Sequence, residues 1–180
     1  MPGDPKLRKA LSEATQMRTA EDYRSRIRAL KSEFDGFEAL YCNSSELQWF
    51  NCYAYAMGVF DEARYLNLAR KKGTSVLVNS EFVNGMLNRN TLAEVQEADA
   101  QPGDIGLYFA GNALQHAGRI HVVTPCLIIR SKWGPHEVHE HSLWAVPAEY
   151  GDLVRYFRCP ASALVLDRLE IESVHARDSD

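Results

Sequence analysis

The sequence predicts an α+β domain: helices come first and an antiparallel β-sheet follows. Three observations carry that expectation. Apolar residues recur every three or four positions in the first half, and after residue 100 they alternate or cluster in short β-branched runs. No internal repeat, low-complexity tract or linker divides the chain, and 180 residues with 46% hydrophobic content suffice for one core but not comfortably for two.

Residues 5–40 are rich in Lys, Arg, Glu, Ala and Leu, and "TAEDYRSRIRALKSEF" spaces Tyr23, Ile27, Leu30 and Phe34 at helical intervals. That spacing predicts an amphipathic helix capped by Thr19. Its charged face reads as solvated, with docking of a partner as the alternative. A second helix is expected in "DEARYLNLARKKG", where Lys71, Lys72 and Gly73 suit a helix C-terminus, and a shorter third in "SEFVNGMLNRN". Further on, "QPGDIGLYFA" reads as a turn and a strand, and "HAGRIHVV", "PCLIIRS", "LVRYFR" and "SALVLDRLEI" as further strands. Four to six antiparallel strands are expected, with residues 1–40 as a helical extension packed on the core.

A net charge of -4 offers no broad basic face, so nucleic acid is excluded as a partner. The longest apolar candidate, "VVTPCLII", is split by Pro125 and is far too short to span a bilayer, so membrane insertion is not expected. The N-terminus lacks the apolar stretch of a signal peptide, which predicts a chain that is cytoplasmic as synthesised. Any export would use a signal-peptide-independent secretion system. Four cysteines without a CxxC spacing read as reduced thiols, and no cofactor is implied.

Chemistry concentrates in "WFNCYAYAMG". Asn51 is a favoured N-cap and Ala54 and Ala56 favour helix, which places Cys52 in a first turn. Unpaired N–H groups there favour thiolate and lower the thiol pKa from about 8.5. The same groups can hold an oxyanion. A thiolate works best with an imidazole, and His116 at the start of a strand is the candidate. His121, five residues on, should face the other way. Taken alone, Ser131 to Gly134 read as a strand end and a turn, and Trp49 and Tyr53 as core. Tyr41 and Gln48 are placed where a side-chain oxyanion donor can sit. Cys42, Cys126 and Cys159 read as structural.

Taken in order, "NCYAYAMG", "QPGDIGLYF", "HAGRI", "SKWG", a later histidine and "YG" resemble the NlpC-type branch of the papain-like cysteine peptidase superfamily. The likeness is strongest to a bacterial subgroup with Asn-Cys, Pro-Gly-Asp, His-Ala, Ser-Lys-x-Gly and Glu-His motifs, and it covers roughly residues 48–158. It implies a papain-like hydrolase domain over residues 41–175, with the nucleophile helix packed on an antiparallel sheet. It makes Cys52 the nucleophile, His116 the general base and acid, and His141 the orienting residue, with His139 and Ser131 as alternatives for that third role. Within this triad His139 is expected to aim away from His116. The implied reaction is peptide or amide hydrolysis through a thioester, on cell-wall peptides if the chain is a delivered bacterial effector, in which case an immunity or adaptor protein joins the substrate as a partner. Acyl transfer or deamidation at the same site is an alternative. Two others are a zinc site in "HEVHEH", where His139 and His141 would share one face of an extended segment, and a non-catalytic binding module.

Overall fold

The computed structural model describes residues 3–40, 49–72 and 78–175. Its strands are β1 (Phe37–Leu40), β2 (Glu94–Val95), β3 (Ile105–Ala110), β4 (Ala113–Val122), β5 (Ile128–Lys132), β6 (Val138–Ser142) and β7 (Leu153–Phe157). They form one sheet in the order β1-β6-β5-β4-β3-β7-β2, and every neighbouring pair is antiparallel. The helices are α1 (Pro5–Thr15), α2 (Ala20–Glu33), α3 (Cys52–Ala56), α4 (Ala63–Lys72), α5 (Ser80–Asn88) and α6 (Ser162–His175). Among the described residues, no helix is long and apolar enough to cross a membrane.

Helices cover both faces, so the central strands are buried twice over. On one face Ala54 of α3, Tyr65 of α4, Phe82 of α5 and Leu166 of α6 pack with Leu107 and Ala117 of the sheet. On the other, Leu11 of α1 and Tyr23, Ile27 and Leu30 of α2 pack with Tyr108, Ile129 and Trp133. Leu107 and Tyr108 are adjacent in β3 and serve opposite cores, as strand alternation requires. The predicted helix with its Thr19 cap is present as α2, and Thr19 accepts the Asp22 N–H at 3.1 Å.

Two expectations need correction. "SALVLDRLEI" is not a strand but the body of α6. Val165, Leu166 and Leu169 are buried while Leu164 and Ile171 are exposed, a helical stripe that β-branched content had disguised. Among the described residues the strands number seven rather than four to six, because the short edges β1 and β2 carry little alternation and β6 looks polar.

The N-terminal residues are built into the sheet and its far turn. β1 pairs with β6, matching Phe37 to His141 and Ala39 to His139. From α1, the buried Arg8 guanidinium donates to the carbonyls of Val146, Pro147, Ala148 and Gly151, and Ser12 Oγ accepts the Ala148 N–H at 2.8 Å. Gly151 takes φ 105°, and a Cβ there would overlap the Phe109 carbonyl. The clasp therefore holds a short 3-10 turn, Ala148–Tyr150, against the sheet. Arg8→Ala leaves these buried carbonyls without their charged donor, and the expected loss is about 2–4 kcal/mol, read as a lower urea midpoint. An unchanged midpoint would mean that water replaces the guanidinium.

Candidate active site

Cys52 opens α3, and Asn51 caps it as its sequence predicts. The Asn51 side-chain oxygen accepts the Ala54 N–H at 3.0 Å, and its amide nitrogen donates to the Val78 carbonyl at 2.8 Å. One residue thus starts the helix and clips it to the entry of α5. α3 lies against β4 and β5, the centre of the sheet, and Cys52 is half-buried there. Backbone N–H groups of Ala117, Tyr53 and Cys52 itself favour its thiolate.

The expected lowering of the thiol pKa is not what the surroundings produce. Burial pushes the Cys52 thiol up to about 11, against the pull of the Ala117 N–H, the Lys132 charge and the first-turn N–H groups. The reason is desolvation: the cost of a buried anion outweighs what the first-turn N–H groups of the five-residue α3 supply.

His116 lies on β4 and is 1% exposed. Its ring stacks on Tyr150 at 3.8 Å between centroids and lies 5.5 Å from Tyr108. Its neighbour Ala117 packs in the α3-side core, so alternation turns the His116 ring to the opposite side of the strand. His116 Nε2 is buried with no hydrogen-bond partner, so no bond joins it to the Cys52 thiol. Burial, reinforced by His141, holds the imidazole well below its ordinary 6.5 and therefore neutral. His121 does face away from it, with its ring 3.6 Å from Glu140.

His141 does not orient His116. Its Nδ1 bonds to the Ser142 carbonyl at 2.9 Å and its Nε2 pairs with Ser131 Oγ at 2.7 Å, while Ser131 Oγ also accepts the Trp133 indole N–H at 3.0 Å. His139 does not aim away from the side of the sheet that holds His116: two residues apart on one strand, His139 and His141 share the face toward α2, as the zinc alternative expects. His139 Nε2 pairs with Tyr23 Oη at 2.9 Å, Nδ1 with the Glu137 carbonyl at 3.1 Å, and the ring stacks on Trp133 at 4.0 Å. His136 stacks on Tyr23 at 3.7 Å. The nitrogens that the zinc alternative would need on His139 and His141 are thus engaged, and among the described residues no three His, Cys, Asp or Glu side chains converge as a metal site.

The other cysteines divide. Cys126 is exposed, which corrects its structural reading, whereas Cys159 is half-buried with its sulfur 3.8 Å from the Met57 carbonyl. Tyr41, Cys42 and Gln48 lie outside the described residues. Tyr53 is core, as read, and donates to the Leu114 carbonyl.

Sequence reasoning passed over Lys132. It ends β5 with 2% exposure, its Nζ donates to the Gly134 carbonyl at 2.7 Å, and it lies 5.5 Å from the Phe50 ring centroid. Burial lowers its ammonium to about 8, while the negative charges available to Cys52 and Glu137 draw it back up. The signal was the position of β5: a lysine is solvated at a sheet edge but enclosed on a strand covered on both faces.

Fold and site together define a mixed α/β protein whose antiparallel sheet carries a short cysteine-bearing helix on its central strands. Residues 41–158 match the family described as Domain of unknown function (DUF7689), and the chain belongs to that family. No curated protein and no solved structure matches the chain. The matched span omits α1, α2 and β1, although Tyr23 of α2 completes the hydrogen bonding of His139.

Proposed function

We propose that the protein is a cysteine hydrolase, a peptidase or amidase on a papain-like core, acting through a thioester on Cys52. The observation that carries the reading is the setting of that thiol: it opens a capped helix on the central strands, where neighbouring backbone N–H groups favour its thiolate. Such donors stabilise negative charge on sulfur, and nearby ones can serve a developing oxyanion. Free cysteines that only fill space need no such shell. The substrate is a peptide or amide. Peptide stems of the bacterial cell wall are the first class to assay, as befits an effector delivered to another cell and restrained by an immunity protein in its own. The same thioester passed to an amine would give acyl transfer.

The test is capture of the intermediate. After incubation with a panel of wall-derived peptides and acid quench, intact mass is expected to show an acyl adduct that maps to Cys52 and is released by hydroxylamine. The adduct should be absent in Cys52→Ala and unchanged in Cys126→Ala, since Cys126 is exposed in the β4–β5 connection. Adducts that distribute over several cysteines, or none with any peptide, would remove the reading.

A further inference from the structure

We propose that Lys132 is the proton partner of Cys52: the buried amine ending β5 and the thiol opening α3 exchange the proton that acyl transfer requires. The inference rests on the Cys52 reading and adds a residue to it.

Three placements converge. The β4–β5 ladder pairs Arg119 with Arg130, and continuing that register sets Gly118 against Ser131 and Ala117 against Lys132. The Gly118 position supports the continuation, because a Cβ there would lie 3.1 Å from Ser131 Cβ. Ala117 belongs to the α3-side core against which Cys52 packs, so its cross-strand partner shares that side of the sheet. Finally, Lys132 Nζ lies over the ring of Phe50, two residues ahead of Cys52 in the chain.

The groups around the amine leave it the role. Cys52 lies on its side of the sheet, on α3, and Glu137 on the β5–β6 connection, whereas His136 and His139 pack against Tyr23 on the opposite, α2 side. Both histidines are pushed down by burial and carry no charge at neutral pH. Glu137 pairs with Arg24 through Oε1 at 2.6 Å, and its buried Oε2 has no hydrogen-bond partner. Lys132 is the side-chain charge that bears on the thiol.

In the step, the proton leaves sulfur for Nζ, giving thiolate and ammonium. Sulfur adds to the substrate carbonyl carbon, and as the C–N bond breaks the ammonium returns its proton to the departing nitrogen. Water then cleaves the thioester, releasing the acid and restoring the thiol.

Alkylation of the intact protein by iodoacetamide, resolved by peptide mapping so that Cys52 is read apart from the other cysteines, tests this without a substrate. In the wild type the Cys52 rate should rise with pH as the amine loses its own proton near pH 8 and becomes able to accept one. In Lys132→Met it should be at least about tenfold slower at pH 7 and climb about tenfold per pH unit through pH 10, as an isolated high-pKa thiol does. Lys132→Arg keeps the charge but cannot accept a proton, so it should be slowed as the methionine variant is above pH 8, where the wild-type amine is free to take one. Circular dichroism verifies that each variant is folded, and the arginine variant decides if the methionine one is not. A Lys132→Arg or Lys132→Met profile that matches the wild type overturns the pair while Cys52 remains reactive. A Cys52 that stays unmodified throughout overturns the pair and the Cys52 reading together.

Discussion

Lowering the pH from 7 to 4 is expected to unfold the protein cooperatively. The cause is the row of histidines buried beneath α1 and α2. Burial pushes His139 down to about 3 and His141 to about 4, from an ordinary 6.5, and holds His116 low as well. In the folded chain these rings resist protonation. In the unfolded chain they accept protons once the pH falls below 6.5. The unfolded state therefore binds more protons in that interval, and stability is full above pH 6.5 and drains away as the pH falls toward the folded values. At about 1.4 kcal/mol per pH unit, each of His139 and His141 removes about 3 kcal/mol by pH 4. Their sum, about 6 kcal/mol, is comparable with the whole stability of a typical domain, about 5–15 kcal/mol. Trp133, fully buried and stacked on His139, supplies a local fluorescence signal to set beside far-UV circular dichroism. Coincident loss of both between pH 6.5 and 4, reversed on neutralisation, is the expected record. A native spectrum at pH 4 would show that the rings accept protons in place.

These histidines also show where the sequence was legible and where it was not. The helical spacing of Tyr23, Ile27 and Leu30 and the turn before Ile105 report local physics, and the structure follows them. β6 was hidden because "HEVHEH" reads as a charged or metal-binding segment. Its inward residues are His139 and His141, whose polar atoms are satisfied by Tyr23, Ser131 and two backbone carbonyls rather than by water. That satisfaction depends on α2 and β5, distant in sequence, so no local pattern announces it. Lys132 was obscure for the same reason, since only the sheet order shows that β5 is central. α6 failed differently: Leu164, Val165 and Leu166 look like a strand until the buried set 165, 166 and 169 is known. Cys52 and its Asn51 cap were readable because capping is a contact over three residues.

The largest expected effect on activity belongs to Cys52. Cys52→Ala should reduce hydrolysis by at least about a thousandfold, because no other group forms the thioester, and residual rate then reflects binding and backbone donors alone. Stability should change little, since the side chain is half-buried and small, and melting curves of the variant and wild type should nearly superimpose. Cys52→Ser keeps the volume but loses the thiolate, so it should also be severely impaired. His116→Gln separates the two proton partners. Its ring lies across β4 from Ala117 and stacks on Tyr150, with Nε2 unpartnered, so replacing it should perturb packing and melting temperature more than turnover. Turnover within about tenfold of wild type would keep the proton with Lys132, because losing an acid–base group costs on the order of a hundredfold or more. A loss as deep as that of Cys52→Ala, in a variant that melts normally, would return the proton to His116 and require its ring to swing toward the sulfur when substrate binds.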